Sequence, residues 1–186
     1  MSGPSPESDD ASLVAATLAG EENAFSLLVR RHKEKVYRFV RSYVADADEA
    51  YDLTQEAFAA AWSALARYDA DRPFPAWIKR IALNKCRDWA RRRTVRRFFF
   101  GAESIETSPD LPATIDPDDE TLKKNLSRLD QAIAALPAGL KEPLLLTAID
   151  GMSHHDAARV LHLTPKAVET RVYRAKLALT RALRDD

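Results

Sequence analysis

The apolar positions of this chain recur at three- and four-residue spacing almost throughout, and no stretch alternates with the period of two that marks a strand. Leu13, Val14 and Leu18 predict a short helix that stops at Gly20. From Asn23 a longer one follows, with Phe25, Leu28, Val29, His32, Val36, Phe39, Val40 and Tyr43 in register and a ring of Arg and Lys around the other sides. Asp46 to Tyr68 repeats the pattern through Leu53, Ala57, Ala60, Ala61, Ala64 and Leu65, helped by Phe58 and Trp62. After a loop holding Pro73 and Pro75, Ala76 to Arg93 carries Trp77, Ile78, Ile81, Ala82, Cys86 and Trp89, of which at least one tryptophan belongs in a core. Periodicity then fails between Thr94 and about Thr121, a stretch with Pro109, Pro112 and Pro117 that reads as a linker. It resumes with Leu122, Leu126, Leu129, Ile133 and Leu136, and again with Leu144, Leu145, Leu146 and Ile149. The expected fold is all-α: an extension with a short helix over 1–20, a helical domain over 21–97, a flexible linker over 98–120 and a second helical domain over 121–186.

The last part of that second domain has the local signals of a helix-turn-helix. Ser153 followed by Asp156 forms a capping box with Asp in place of Glu, and Ala157, Val160 and Leu161 give the first helix its buried stripe. His162, Leu163 and Thr164 make the turn, and Thr164-Pro165 restarts a helix, since Thr supplies the cap and Pro fits the first position, where no N–H is needed. Val168, Val172, Ala175 and Leu179 face inward. Lys166, Glu169, Thr170, Tyr173, Arg174 and Lys176 face outward, with Arg171 at the edge. Such a face suits the major groove, where Arg and Lys meet guanine edges or phosphates. The plainer alternative is a helical hairpin with a solvated charged face.

Composition changes this picture in one respect. The formal net charge is zero, with 28 Lys and Arg against 28 Asp and Glu, but the charges are segregated. Residues 79–97 sum to +8 and residues 103–120 to −7, the pattern of a chain that meets phosphate with one surface. Aromatic and basic side chains interleave over Ala76 to Arg93, which suits unstacked bases and their backbone. Asp48, Glu49, Asp52, Gln55 and Glu56 form an acidic face that is either solvated or a dock for a basic partner. Phe98, Phe99 and Phe100 lie in the linker stretch, where an apolar run marks contact with a partner or with one of the domains. The N-terminus lacks a signal-peptide pattern and no apolar run could cross a bilayer, so a cytoplasmic protein is expected. The single cysteine, Cys86, reads as a buried structural thiol. His32 reads as a packing or surface residue. His154, His155 and His162 form no closed ligand set, so neither a metal nor any other cofactor is expected, and no constellation for catalysis is visible.

The ordered stretches FSLLVRRHKEKVYRF, DLTQEAFAAAWSAL, FPAWIKRIALNKCRDWARR and LPAGLKEPLLLTAIDGMSHHDAARVLHLTPKAVETRVYRAKLAL resemble the bacterial sigma factors of RNA polymerase, in particular the compact extracytoplasmic-function group. The resemblance covers about 24–93 and 136–183. It implies a specificity subunit that is not an enzyme, with core RNA polymerase and promoter DNA as partners and an anti-sigma factor as regulator, in a stress or envelope response. It implies that Asp48, Glu49, Asp52, Gln55 and Glu56 dock on the clamp helices of the largest polymerase subunit, and that the second domain meets the flap region. Minus-ten recognition and melting would fall to Arg67, Tyr68, Asp69, Arg72, Phe74, Trp77, Lys79, Arg80, Asn84, Lys85, Arg87, Arg91 and Arg92. Minus-thirty-five reading would fall to Lys166, Glu169, Thr170, Arg171, Tyr173 and Arg174. A chain without ATPase motifs opens DNA only by holding the unstacked strand better than the duplex. Two departures from the family pattern stand out: the His154-His155 pair, and Glu169 where a basic residue is common. Glu169 either accepts from a cytosine amino group or faces away from DNA. The competing readings are a free-standing operator-binding regulator and an enzyme acting on nucleic acid.

Overall fold

A computed structural model describes residues 7–100 and 117–184, and all regular structure among them is helical. Helix α1 (Asp10–Leu18) starts where the Asp9 carboxylate accepts from the Ser12 N–H at 2.7 Å. It packs on α2 (Glu22–Val44), the longest apolar stripe of the first domain, with Leu28, Val36, Phe39 and Val40 fully buried. His32 is buried with that stripe, its Nε2 2.9 Å from the Asp10 carboxylate, so its role is to hold α1 in place. Helix α2 ends on Ala45 in the left-handed region at φ 57°, a conformation that crowds any Cβ. Asp46 then caps α3 (Ala47–Ala64), which runs into a single 3-10 turn at Leu65–Arg67. Trp62 lies on the outer side of α3, half exposed and edge-on to Phe25 at 4.9 Å, rather than within the core.

Helix α4 differs from its sequence expectation at both ends. It spans Phe74–Phe100, two residues earlier and seven later than the apolar stripe allows. The tail continues because Arg is a good helix former and no breaker occurs before Gly101. Phe98 and Phe99 therefore stand on a helix, strongly exposed and edge-on to each other at 5.5 Å, and neither docks on a domain. Phe100 has no described side chain, and residues 101–116, most of the expected linker, lie outside the described residues, as does the segment before Glu7.

The second domain contains α5 (Pro117–Ala135), α6 (Ala138–Leu144), α7 (His154–Leu161) and α8 (Pro165–Ala182). A π-helical turn, Leu145–Ile149, follows α6 directly. Ile133, Leu136, Leu144, Leu145, Leu146, Ala157, Val160, Val168, Val172 and Ala175 build its core, whereas Leu126 and Ile149, expected inside, are exposed. Ser153 and Thr164 cap α7 and α8 by accepting from the Asp156 and Ala167 N–H groups, each at 3.1 Å. The Asp156 carboxylate reaches back to the Ser153 hydroxyl at 2.6 Å. The turn between the helices places His162 at φ 56°.

The two domains are in contact. Helix α5 and the π-helical turn pack on α2, and α7 packs on α4, so the buried side chains form one continuous cluster. Among the described residues no helix is long and apolar enough to cross a membrane.

Two substitutions test the local signals. Ala45→Gly relieves the left-handed strain and should raise unfolding free energy by about 0.5–1 kcal/mol, after allowing for the greater freedom of glycine in the unfolded chain. Thr164→Ala removes a cap and should lower it by about 1 kcal/mol. Urea titration followed by circular dichroism measures both.

Candidate nucleic-acid interface

The apolar stripe of α8 faces α6 and α7, which leaves the opposite side of the helix in solvent. Lys166, Thr170 and Tyr173 lie along the centre of that side, with Glu169 and Arg174 on its two flanks, and all five are exposed. Tyr173 is 65% exposed, a large ring offered to solvent. Lys166 holds the Glu169 carboxylate at 2.9 Å and keeps its pKa below the ordinary value by that hydrogen bond and charge. The Thr170 hydroxyl donates to the Lys166 carbonyl at 2.9 Å, leaving its lone pairs and methyl outward. Arg171 differs from these. It is mostly buried, and its guanidinium lies against α6 beside Gly139, 3.9 Å from where a Cβ would stand on that glycine.

A second basic surface follows the loop before α4 and one side of that helix. Within the loop, the Arg72 and Asp71 N–H groups donate to the Asp69 carbonyl and carboxylate, and the Tyr68 hydroxyl donates to the Arg72 carbonyl. The Arg72 guanidinium pairs with the Asp69 carboxylate at 3.1 Å, so Asp69 shapes the loop from within. Phe74 is buried at the start of α4, with the rings of His32, Tyr68 and Trp77 around it. It therefore supports Tyr68 and Trp77 and has no surface to offer DNA. Arg67, Arg72, Arg80, Asn84, Arg91 and Arg92 are exposed; Trp77, Lys85 and Arg87 are partly so. Trp89 is the tryptophan that joins the core.

Lys79 is the sharpest departure from the sequence expectation. Its ammonium is buried, donating to the Lys35 carbonyl at 2.9 Å and to the Asp150 carboxylate. Burial holds its pKa below the ordinary lysine value, against the pull of Asp150. Arg87 is engaged as well: its Nε and Nη2 donate to the two oxygens of Glu142 at 2.8 and 2.6 Å, a bidentate pair. Lys141 completes the set, donating to the carbonyls of Ala134 at 2.6 Å and Tyr43 at 3.3 Å. Asp150, Glu142 and Lys141 were invisible as site residues in the sequence. The one available signal was three charged residues flanking the run PLLLTAI, Lys141 and Glu142 before it and Asp150 after it.

On α3, Asp48, Asp52, Gln55 and Glu56 are exposed on one side and Glu49 turns partly inward. Glu56 accepts from Lys85 at 3.3 Å, so the acidic face of α3 adjoins the basic surface of α4. Cys86 is fully buried and its thiol is pushed up to about 12 by burial. Among the described residues no three His, Cys, Asp or Glu side chains are gathered as a metal would need.

These features define a helical protein that presents a helix-turn-helix and a basic, aromatic helix to nucleic acid. Residues 28–96 match the model of Sigma-70 region 2, and residues 126–179 match that of Sigma-70, region 4. The chain is 41% identical to the RNA polymerase sigma factor CnrH of Cupriavidus metallidurans, over 97% of each chain. It is 30% identical to the ECF RNA polymerase sigma-E factor of Escherichia coli K12, over 91% of this chain and 92% of the relative. The structure of CnrH in complex with the cytosolic domain of CnrY superposes with a TM-score of 0.72 at 36% identity, covering 95% of this chain and 98% of that one. The chain belongs to the sigma-70 family, in its extracytoplasmic-function group of RNA polymerase sigma factors. It is a transcription initiation factor without enzymatic activity, with core RNA polymerase and promoter DNA as its partners.

The two edges of α8 separate by experiment. Arg174→Ala should weaken binding to a promoter fragment by about 1–3 kcal/mol if it reads a base. Arg171→Ala should leave that affinity within about threefold, because the side chain is directed at α6. Fluorescence anisotropy with specific and scrambled duplexes at one salt concentration measures both.

Proposed function

We propose that the two domains divide promoter recognition between them. Lys166, Glu169, Thr170, Tyr173 and Arg174 read the minus-thirty-five element from the major groove, and the second domain contacts the flap region of polymerase. The Arg67–Arg72 loop, with Trp77, Arg80, Asn84, Arg91 and Arg92, engages the minus-ten element once it is opened. Asp48, Asp52, Gln55 and Glu56 dock on the clamp helices of the largest subunit. The observation that carries the reading is the outward row of α8, whose large and charged side chains stand exposed along one side of the helix. The Glu169 carboxylate, held by Lys166, is suited to accept from a cytosine amino group.

Control by an anti-sigma factor belongs to the same proposal. CnrH, similar over nearly the whole chain, forms a complex with the cytosolic domain of CnrY. A partner with such a domain would hold this chain in the cytoplasm, at the membrane where the partner is anchored there, until a stress or envelope signal releases it.

In vitro transcription with core polymerase and a genomic promoter library tests the reading. Transcripts from a defined set of start sites should appear only when the protein is added. Asp52→Ala combined with Glu56→Ala should reduce core binding at least tenfold while leaving duplex binding by α8 unchanged. Duplex binding without any affinity for core would favour a free-standing regulator instead.

A further inference from the structure

One face of α4 does not stop where the assigned minus-ten contacts stop. Trp77, Arg80, Asn84, Arg91, Val95 and Phe98 follow one another at steps of three, four, seven, four and three residues, which puts them all on one side of the helix. The first four are assigned above to the minus-ten element. The last two are apolar and exposed, Val95 by 54% and Phe98 by 84%, and Phe99 beside them is 72% exposed. Helix α4 runs as a single element to Phe100, so this tail is held out by the same rod that carries Trp77 and Arg80. At about 1.5 Å per residue, Phe98 stands about 32 Å from Trp77 and about 10 Å beyond Arg91. That last distance is about three base-pair steps of B-form DNA, at about 3.4 Å each.

The charge of the tail points the same way. From Ala90 to Phe100 the helix holds five arginines, Arg91, Arg92, Arg93, Arg96 and Arg97, and no carboxylate. Arg93 lies over the Trp89 ring at 5.1 Å and Arg91 pairs back to Asp88. Arg92 and Arg96 are exposed and carry no ion pair among the described residues. Like charges at that density along a helix repel one another, and a row of anions relieves them. A duplex backbone supplies such a row, and nucleic acid is the partner assigned to the neighbouring stretch of the same face. The rings fit it too. Phe98 and Phe99 meet edge-on at 85°, with centroids 5.5 Å apart, so they form a blunt, crossed apolar tip. Successive unpaired bases stack on ring faces, which this tip does not offer in parallel. Apolar side chains act on duplex DNA through the minor groove, pressed between base steps while arginines hold the backbone. A protein surface would have to bury the rings together with uncompensated arginines, whose desolvation is costly.

We infer that the tail of α4 is a third promoter contact: Arg96, with Arg92, holds phosphates of the duplex adjoining the minus-ten element, and Phe98 and Phe99 press into its minor groove. Helices α5 to α8 follow the tail in the chain and α8 is assigned to the upstream element, so the contacted duplex is the stretch between the two elements. The inference rests on the reading of α4 as the minus-ten helix. It adds a place where deformability of the DNA, and not base identity, affects promoter choice, because flexible pyrimidine–purine steps accept a wedge more readily than stiff ones.

The test uses holoenzyme assembled from core polymerase and the full chain, on a promoter mapped by its start site. Hydroxyl-radical footprinting should show protection of the minor groove over about three base pairs beside the minus-ten element, on its minus-thirty-five side, in addition to the elements themselves. Phe98→Ala with Phe99→Ala should abolish that extra protection, keep protection at both elements and weaken promoter affinity about fivefold or more. Arg96→Ala should reduce the slope of log affinity against log salt by about one. The wild type should prefer promoters with TA steps in that stretch over promoters with G·C steps there, and the double variant should not discriminate. Both rings lie outside the core, so circular dichroism and core affinity should match the wild type. A double variant with unchanged footprint and unchanged promoter affinity overturns the inference. So does one that loses affinity for core while its bound holoenzyme gives the wild-type footprint, which assigns the rings to polymerase instead. Either result leaves the promoter reading intact wherever the wild type directs transcription from defined start sites. Absence of such start sites sinks that reading, and this inference with it.

Discussion

A lysine ammonium taken out of water must find new partners within the protein, and that requirement organises the contact between the two halves of this molecule. Lys79 lies on the inner side of α4, against α2, where the Lys35 carbonyl supplies one acceptor and the Asp150 carboxylate another. Transfer of an unpaired cation into such a place would cost several kcal/mol. The second domain therefore meets a defined electrostatic need at one point, and around that point ordinary packing of α5 on α2 and α7 on α4 fills the space. Desolvation makes such a pair poor as net stabilisation but strict as to geometry, since removing one partner leaves the other stranded. A contact of that kind is specific without having to be strong.

Helix α2 is the shared support. Its apolar stripe carries α1, α3 and α4 on one side and receives α5 and the π-helical turn on another. The same helix thus sets the position of the acidic face of α3, the basic side of α4 and the docking place of the second domain. The neighbouring Glu56 and Lys85 show how close these surfaces come: the group assigned to polymerase and the group assigned to DNA share an ion pair at 3.3 Å. A charge brought against α3 at Glu56 would therefore be felt by Lys85 on α4.

Most of the helices were legible because their causes are local. Thr164-Pro165 announces α8, Ser153 and Asp156 announce α7, and the stripes of α2 and α3 fix their inner faces. The end of α4 was not legible, because an Arg-rich run has helix propensity without the apolar periodicity that marks a helix in sequence. The resemblance implies a minus-ten role for Phe74, yet a ring at the first position of a helix packs inward when His32, Tyr68 and Trp77 close around it. Arg171 was separated from the outward row by less than a third of a turn, finer than a helical wheel resolves. The ion pairs between domains join residues 71 and 55 positions apart, and nothing in the spacing of either partner encodes the other.

The lone thiol of this chain has a consequence for the kind of signal the cell can send to it. Cys86 is fully buried and burial pushes its thiol up to about 12, so at neutral pH it stays protonated and withholds the thiolate that peroxides and disulfides attack. No second cysteine exists to trap a transient oxidised form. Oxidants therefore have no direct cysteine handle on this factor, and a redox stimulus has to be sensed elsewhere and delivered as a change in who is bound to it.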